Sequence, residues 1–200
     1  MAMVAKDGRL HRRAVVAALL EDRGGLAVVS GLGAPAWDLA AAGDHALSLP
    51  LWGAMGGAAM VGLGLALAQP GRPVMVLTGD GEMMMGLGAL ATIAVAAPAN
   101  LSVVVLDNGV YGETGMQPAH SSAGVDLVQI ARGCGFSRLA EPTDPAGIAA
   151  LRAQVHACAG PLFARVAIDP EKLPLVLPPE AIVLKNRFRE AVMGRDALYA

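Results

Sequence analysis

"VMVLTGDGEMMMGLGALATIAVAAPANLSVVVLDNG", Val74 to Gly109, decides the fold. Two runs rich in β-branched residues, Val74–Gly79 and Leu101–Asp107, flank an Ala-, Leu- and Met-rich run of helical length. Both short runs are apolar on both faces, the pattern of strands covered by helices on each side of a parallel sheet. Strand, helix, strand is one βαβ unit, so the polar ends "GDGE" and "DNG" fall on the same carboxyl edge. Neighbouring strands lie about 4.8 Å apart, which lets Asp80 and Asn108 reach one small ion between them. Ligands of open α/β sheets sit outside that edge.

Outward from this unit the alternation continues. Leu26–Gly31 and Leu162–Asp169 are expected strands; His11–Asp22, Gly53–Gln69, Met83–Ala97, Val125–Cys134 and Pro145–Ala157 are expected helices. The fold class is therefore α/β, a doubly wound, mostly parallel sheet with helices on both faces, over residues 1–170. Residues 171–200 form a separate tail. Its stretch "PEKLPLVLPPEAIVLKNRFREAVMGR" opens proline-rich and closes as a basic helix candidate, expected to wrap a neighbouring surface rather than build a second core.

Composition excludes several classes. A chain of 200 residues with 54% hydrophobic residues suits one domain with a large core. A net charge of −2 gives no basis for binding nucleic acid or an acidic membrane surface. No charge occurs between Glu82 and Asp107, yet Pro98 and Asn100 interrupt the about 20 apolar residues a spanning helix needs. The opening "MAMVAKDGRLHRR" is polar and basic with no apolar core after it, unlike a secretory signal. Cys134 and Cys158 are too few for a disulfide framework and form no metal-type pair, so they are expected as buried thiols in a reducing, cytoplasmic setting.

Asp80 and Glu82 lack a counter-charge. Between Arg23 and Arg132 the only Lys or Arg is Arg72, which precedes its strand at the opposite edge. Gly79 and Gly81 offer free backbone N–H groups suited to a phosphate, but a diphosphate beside two acids is repelled unless a cation intervenes. Mg²⁺ meets that need, because it takes one or two protein side chains plus phosphate oxygens and water. Asp80, the Asn108 amide oxygen and a backbone carbonyl just beyond supply three positions. The competing reading is that Asp80 merely caps the following helix.

"GDG" followed 28 positions later by "DN" resembles the cofactor motif of the thiamine diphosphate (ThDP) enzymes. By that resemblance Asp80 and Asn108 are the side-chain Mg²⁺ ligands and Val110 gives the backbone-carbonyl ligand. Gly79, Gly81 and Glu82 lie in the turn that approaches the diphosphate, and Tyr111, Gly112 and Glu113 follow in the cofactor loop. Asp107 stands where the family usually has a first Asn, a position not expected to touch the metal. "LWGAMGGAAMVGLGLALA" (Leu51–Ala68) is similar to the segment that cradles the aminopyrimidine. It implies contacts from Gly53, Ala54 and Met55, with the Gly53 carbonyl accepting from the 4′-amino group. Met55 is then the apolar wedge between the rings, a role suited to an unbranched, adaptable side chain.

The resemblance spans about Val28 to Ala167 and covers the diphosphate-binding domain alone. The family's other domain, which supplies the glutamate facing the pyrimidine, has no counterpart here. A partner chain carrying it is implied, in a hetero-oligomer built on dimers. "LDNGVYGETGMQPAH" is most like the phosphonopyruvate and sulfopyruvate decarboxylases, and the short chain is similar to a sulfopyruvate decarboxylase β subunit. The implied reaction takes a small 2-oxo acid to CO₂ and an aldehyde.

Glu113, Thr114, Gln117 and His120 follow the metal loop and are candidates for the substrate side. His120, whose ordinary pKa is about 6.5, is the candidate proton carrier and Glu113 a second; the loop alternative is that His120 is simply exposed and Glu113 only orders the loop. A doubly charged substrate favours Arg or Lys forks. The middle of the chain has almost none, so the cations would come from the partner or from Lys185, Arg187 and Arg189. Two other readings stay open: a ThDP-dependent carboligase or 2-oxo acid oxidoreductase subunit, and a nucleotide-binding module. For the last, "GLGAPA" (Gly31–Ala36) lacks the final glycine of a dinucleotide fingerprint, and no acid follows about 20 residues on.

Overall fold

A computed structural model describes residues 3–5 and 8–198. In chain order it contains α1 (Arg12–Leu19), β1 (Ala27–Ser30), α2 (Ala34–Ala41), β2 (Ser48–Pro50), α3 (Ala58–Ala68) and β3 (Val74–Gly79). Next come α4 (Asp80–Met85), α5 (Gly88–Ala96), β4 (Leu101–Asp107) and a small hairpin of β5 (Val110–Tyr111) and β6 (Gln117–Pro118). A 3-10 turn (His120–Ala123), α6 (Leu127–Cys134), β7 (Arg138–Ala140), α7 (Pro145–His156), β8 (Leu162–Ala167) and α8 (Ala181–Met193) complete the main path.

Six strands form one sheet in the order β2-β1-β3-β4-β8-β7, and every pairing in it is parallel. Side chains alternate between its faces. Val29, Val76, Val103 and Val105 enter a core with α3, α5 and α6. Val28, Met75, Leu77, Val104 and Leu106 enter the opposite core with α1, α2 and α7. That double burial is why the central strands carry hardly a polar residue. Asp126 caps α6 by accepting from the Val128 and Gln129 amides at 2.9 and 3.0 Å, and Asp144 caps α7 from Gly147 at 2.7 Å, ahead of a proline at the first helical position.

Sequence order makes the site. The chain leaves β1 toward β2 on one side and leaves β3 toward β4 on the other, so the crevice between the β1 and β3 carboxyl ends is a topological switch point. The register pairs Thr78 with Val105 and Gly79 with Leu106, so Asp80 and Asp107–Asn108 emerge side by side.

Three expectations are corrected, and three short elements are added. The helix expected over Met83–Ala97 is two helices, broken at Gly86. A Cβ on Gly86 would lie 2.1 Å from the Gly56 carbonyl oxygen, so the chain turns where two backbones touch. The helix expected from Gly53 begins only at Ala58, because Trp52–Gly57 forms a turn closed by Gly57 N–H to Ala54 O at 2.7 Å. Short edge strands β2 and β7 and the helix α2 join the sheet through tertiary contacts, without a long periodic pattern of their own. Cys134 and Cys158 are free and partly exposed rather than buried, since both sit where a helix ends.

The tail returns along the β2 edge of its own chain. Leu184 and Phe188 of α8 are buried there, and Arg187 binds the Asp44 carboxylate and donates to the His45 carbonyl at 3.3 Å. Among the described residues no helix is long and apolar enough to cross a membrane.

Candidate active site

A cleft opens at the switch point. Gly79, Asp80 and Gly81 after β3 line it together with Asn108, Val110 and Tyr111 after β4. Leu32–Pro35 after β1 supply another wall, Met55 faces it from the turn before α3, and Gly112–Thr114 close the far side. No Lys, Arg or His lines it among the described residues.

Asp80 is the first residue of α4 and only 2% exposed. Among the described residues no Lys or Arg pairs with it. Its Oδ2 accepts from Ser121 Oγ at 2.8 Å. Burial pushes its carboxyl above the ordinary value; the Ser121 hydroxyl works against that, the neighbouring Asp107 charge adds to it, and the Asp80 and Asn108 amides oppose it. Asn108 lies across from it, its Oδ1 accepting the Val110 amide at 3.0 Å, which fixes the side chain and leaves the oxygen a second lone pair. Opposite Val110 in the hairpin stands Pro118, which has no N–H to offer the Val110 carbonyl. One carboxylate, one amide oxygen and one carbonyl are hard oxygen donors. Among the described residues no cluster of three or more His, Cys, Asp or Glu forms, so a soft transition-metal site is not what this donor set suits. An uncompensated buried acid beside neutral oxygens suits a hard cation such as Mg²⁺.

Glu82 points the other way. It is 4% exposed, and its Oε2 accepts from Thr78 Oγ1 at 2.9 Å. Burial raises its carboxyl, opposed by Thr78 and by the Gly56, Ala58 and Leu32 amides turned toward it, although Oε1 finds no partner in full hydrogen-bonding geometry. It touches the cleft wall while tying the β1 loop to the start of α3. Gly31 makes room for it: a Cβ there would fall 1.4 Å from Glu82 Oε2. Gly81 likewise makes room for the Tyr111 ring, whose Cε1 would lie 2.4 Å from a Cβ on that glycine.

The remaining candidates divide. Met55 is 37% exposed and lines the cleft; Gly53 and Ala54 are exposed and do not line it. Glu113 lines it with Oε1 accepting from the Trp37 indole N–H at 3.2 Å, and Trp37 stacks edge-on against Trp52 with centroids 5.0 Å apart. Thr114 lines it as well, whereas Gln117 folds back on Thr114 at 2.9 and 3.1 Å. His120 is exposed behind Tyr111, its Nδ1 3.0 Å from the phenolic oxygen, and is outside the lining. Arg187 is taken by Asp44, and neither Lys185 nor Arg189 lines the cleft, so the tail brings no cation to it. Leu32, Gly33, Trp37 and Ser121 were missed by sequence reasoning, because sheet order and loop return bring them in. "GLGAPA" is the turn into α2, with Gly33 at its N-cap and a proline in its first turn.

Comparison with known proteins identifies the family. Residues 33–166 match the family "Thiamine pyrophosphate enzyme, C-terminal TPP binding domain". The chain is 42% identical over 171 residues to a phosphonopyruvate decarboxylase of Streptomyces viridochromogenes, covering 83% of this chain and 42% of that one. It is 36% identical over 182 residues to a sulfopyruvate decarboxylase subunit beta of Methanothermobacter thermautotrophicus, covering 90% and 92%. The chain thus spans about two fifths of the phosphonopyruvate decarboxylases it matches. The benzoylformate decarboxylase of Polynucleobacter necessarius shares the fold, with a TM-score of 0.67 at 20% identity over 88% of this chain and 36% of that one. The chain belongs to the thiamine pyrophosphate enzymes, as their C-terminal TPP-binding domain.

Proposed function

We propose that this chain is the ThDP- and Mg²⁺-binding subunit of a split 2-oxo acid decarboxylase, acting on sulfopyruvate, phosphonopyruvate or a similar acid to release CO₂ and an aldehyde. One observation carries the reading: Asp80, buried without a cation, faces the neutral oxygens of the next strand inside a cleft at the switch point. Asp80, Asn108 and the Val110 carbonyl would hold Mg²⁺. Gly79, Gly81 and Gly112 line the cleft where the diphosphate would lie, and Met55 would wedge between the cofactor rings. When bound, ThDP supplies the nucleophilic carbon and the electron sink. Glu113, steadied by Trp37, is the cleft's own acid–base group on the substrate side. His120 reaches the cleft only through the Tyr111 hydroxyl.

Two features support a partner chain. The match to a β subunit covers 92% of that subunit, while the matched phosphonopyruvate decarboxylase of Streptomyces viridochromogenes is more than twice as long as the part matched. Beyond Met55, the helices α3 and α5 expose Met60, Val61, Leu67 and Val95 with no charged residue in either helix, an apolar surface of the kind that marks protein contacts. The missing pyrimidine-side glutamate, and the cations a doubly charged substrate needs, would come from that partner.

The test begins with purification from native cells, reading intact masses and ThDP content. A second chain with stoichiometric ThDP, and CO₂ with free aldehyde from a 2-oxo acid, is the expected result. Asp80→Ala should lose Mg²⁺-dependent ThDP retention. Unchanged cofactor content in that variant, or turnover by the verified single chain, would overturn the metal assignment or the split reading respectively.

A further inference from the structure

Ser121 lies between two buried acids. Its Oγ is 2.8 Å from Asp80 Oδ2 and 2.8 Å from Asp107 Oδ1. Asp107 is 4% exposed and already accepts the Gly109 amide at 3.0 Å and Arg165 Nε at 2.5 Å. A hydroxyl carries one proton and cannot donate to both carboxylates at once. Asp107 is served by an amide and a guanidinium, so the hydroxyl proton belongs to Asp80 Oδ2, and Asp80, which otherwise meets its own and the Asn108 amides, keeps lone pairs for an ion. Two carboxylates around one hydroxyl are tolerable when positive charge flanks the group on both sides. Arg165 stands behind Asp107; no Lys or Arg among the described residues lines the cleft in front of Asp80.

The turn carrying Ser121 is set against the metal loop itself. Ala119, 2% exposed, donates its amide to the Gly109 carbonyl at 2.8 Å, and Ser122 closes the turn on the Ala119 carbonyl through both its amide and its hydroxyl, at 3.1 and 2.7 Å. Ser121 is thereby fixed relative to the loop bearing Asn108. Mg²⁺ demands near-octahedral geometry, and a carboxylate free to rotate about its own side-chain bonds meets that demand poorly.

We propose that Ser121, backed by the Asp107–Arg165 pair, is a positioning residue that locks Asp80 in the orientation a divalent cation needs. This deepens the ThDP–Mg²⁺ reading and rests on it.

The experiment measures ThDP retained by the enzyme, purified with its partner, as a function of free Mg²⁺. In Ser121→Ala the Mg²⁺ concentration for half-maximal retention should rise about tenfold or more, the range seen when a group supporting a metal ligand is lost. Retention should recover fully at high Mg²⁺, Ser121→Thr should restore the wild-type midpoint, and the melting temperature without Mg²⁺ and ThDP should stay the same. If the alanine variant does not fold, Ser121→Cys, which keeps the size but donates weakly, carries the same expectation. An unchanged Mg²⁺ midpoint beside an Asp80→Ala variant that loses ThDP would overturn this inference alone. Retention of ThDP by Asp80→Ala would overturn the reading beneath it.

Discussion

Gly31→Ala tests how the cleft is braced. Gly31 is not in the left-handed backbone region, so alanine fits its conformation and only space forbids it. A Cβ would lie 1.4 Å from Glu82 Oε2, 2.3 Å from its Cδ and 2.7 Å from Oε1, so the whole carboxylate must leave. Its departure strands the Thr78 hydroxyl, buried at 2% exposure, and frees the Leu32, Gly56 and Ala58 amides. A buried donor left unpaired costs about 1–3 kcal/mol. Glu82 recovers some hydration on moving out, so the net loss is set at about 3 kcal/mol, within the span of single-donor costs and their partial sums.

The assay is a double-mutant cycle by urea unfolding. Glu82→Ala removes the clashing group and its bonds together, so adding Gly31→Ala to that background should cost little more. The coupling energy should be about 2–3 kcal/mol in the favourable sense, as expected for two residues in contact. Additivity within about 0.5 kcal/mol would refute the claim that Gly31 exists to admit Glu82.

Two further outcomes are expected. Trp37→Phe removes the indole donor to Glu113 while keeping a ring against Trp52; in the assembled enzyme kcat should fall about tenfold with little change in ThDP retention, since a hydrogen bond to a charged group is worth about 1.5–3 kcal/mol. An unchanged kcat would remove Glu113 from the chemistry. The second outcome concerns pH. Burial raises the Asp80 and Glu82 carboxyls in the folded protein, so the folded state holds protons more tightly than the unfolded one and stability falls as pH rises from the ordinary carboxylate value, about 4, through the raised folded values. Without Mg²⁺ and ThDP the urea midpoint should therefore drop over that window, and Glu82→Gln should flatten the drop. Asp38, also raised by burial, is common to both proteins and cancels in the comparison. A midpoint that rises with pH, or a slope untouched by Glu82→Gln, would contradict the burial argument.

The parallel sheet was legible because β3 and β4 are buried on both faces, and such strands are forced to be apolar throughout. Asp80 and Asn108 were legible because strand pairing converts a separation of 28 residues into adjacency. What the sequence concealed lies in contacts between distant segments. Gly86 breaks a helix because Gly56 passes over it; nothing local to "MMMGLG" says so. Leu32, Gly33 and Trp37 enter the site because β1 lies beside β3, a matter of sheet order rather than of pattern. Arg165 is on a strand read only as apolar, and its guanidinium reaches Asp107 from the next strand over.

The same geometry explains why one turn carries two acids with no basic neighbour. Positions two apart on a helix point about 200° apart, so Asp80 and Glu82, at the start of α4, cannot share a ligand. Asp80 turns toward β4, where Asn108 and Ser121 stand, and Glu82 turns toward β1, into the space Gly31 leaves. Their charges are managed differently for that reason. Glu82 is held by the Thr78 hydroxyl and by the backbone amides turned toward it. Asp80 meets the Ser121 hydroxyl and the Asp80 and Asn108 amides but no Lys or Arg among the described residues, the counter-charge that the proposed Mg²⁺ would supply. Under the proposed reading an arginine placed to neutralise Asp80 would occupy the position of the metal, in keeping with a cleft that no Lys or Arg lines among the described residues.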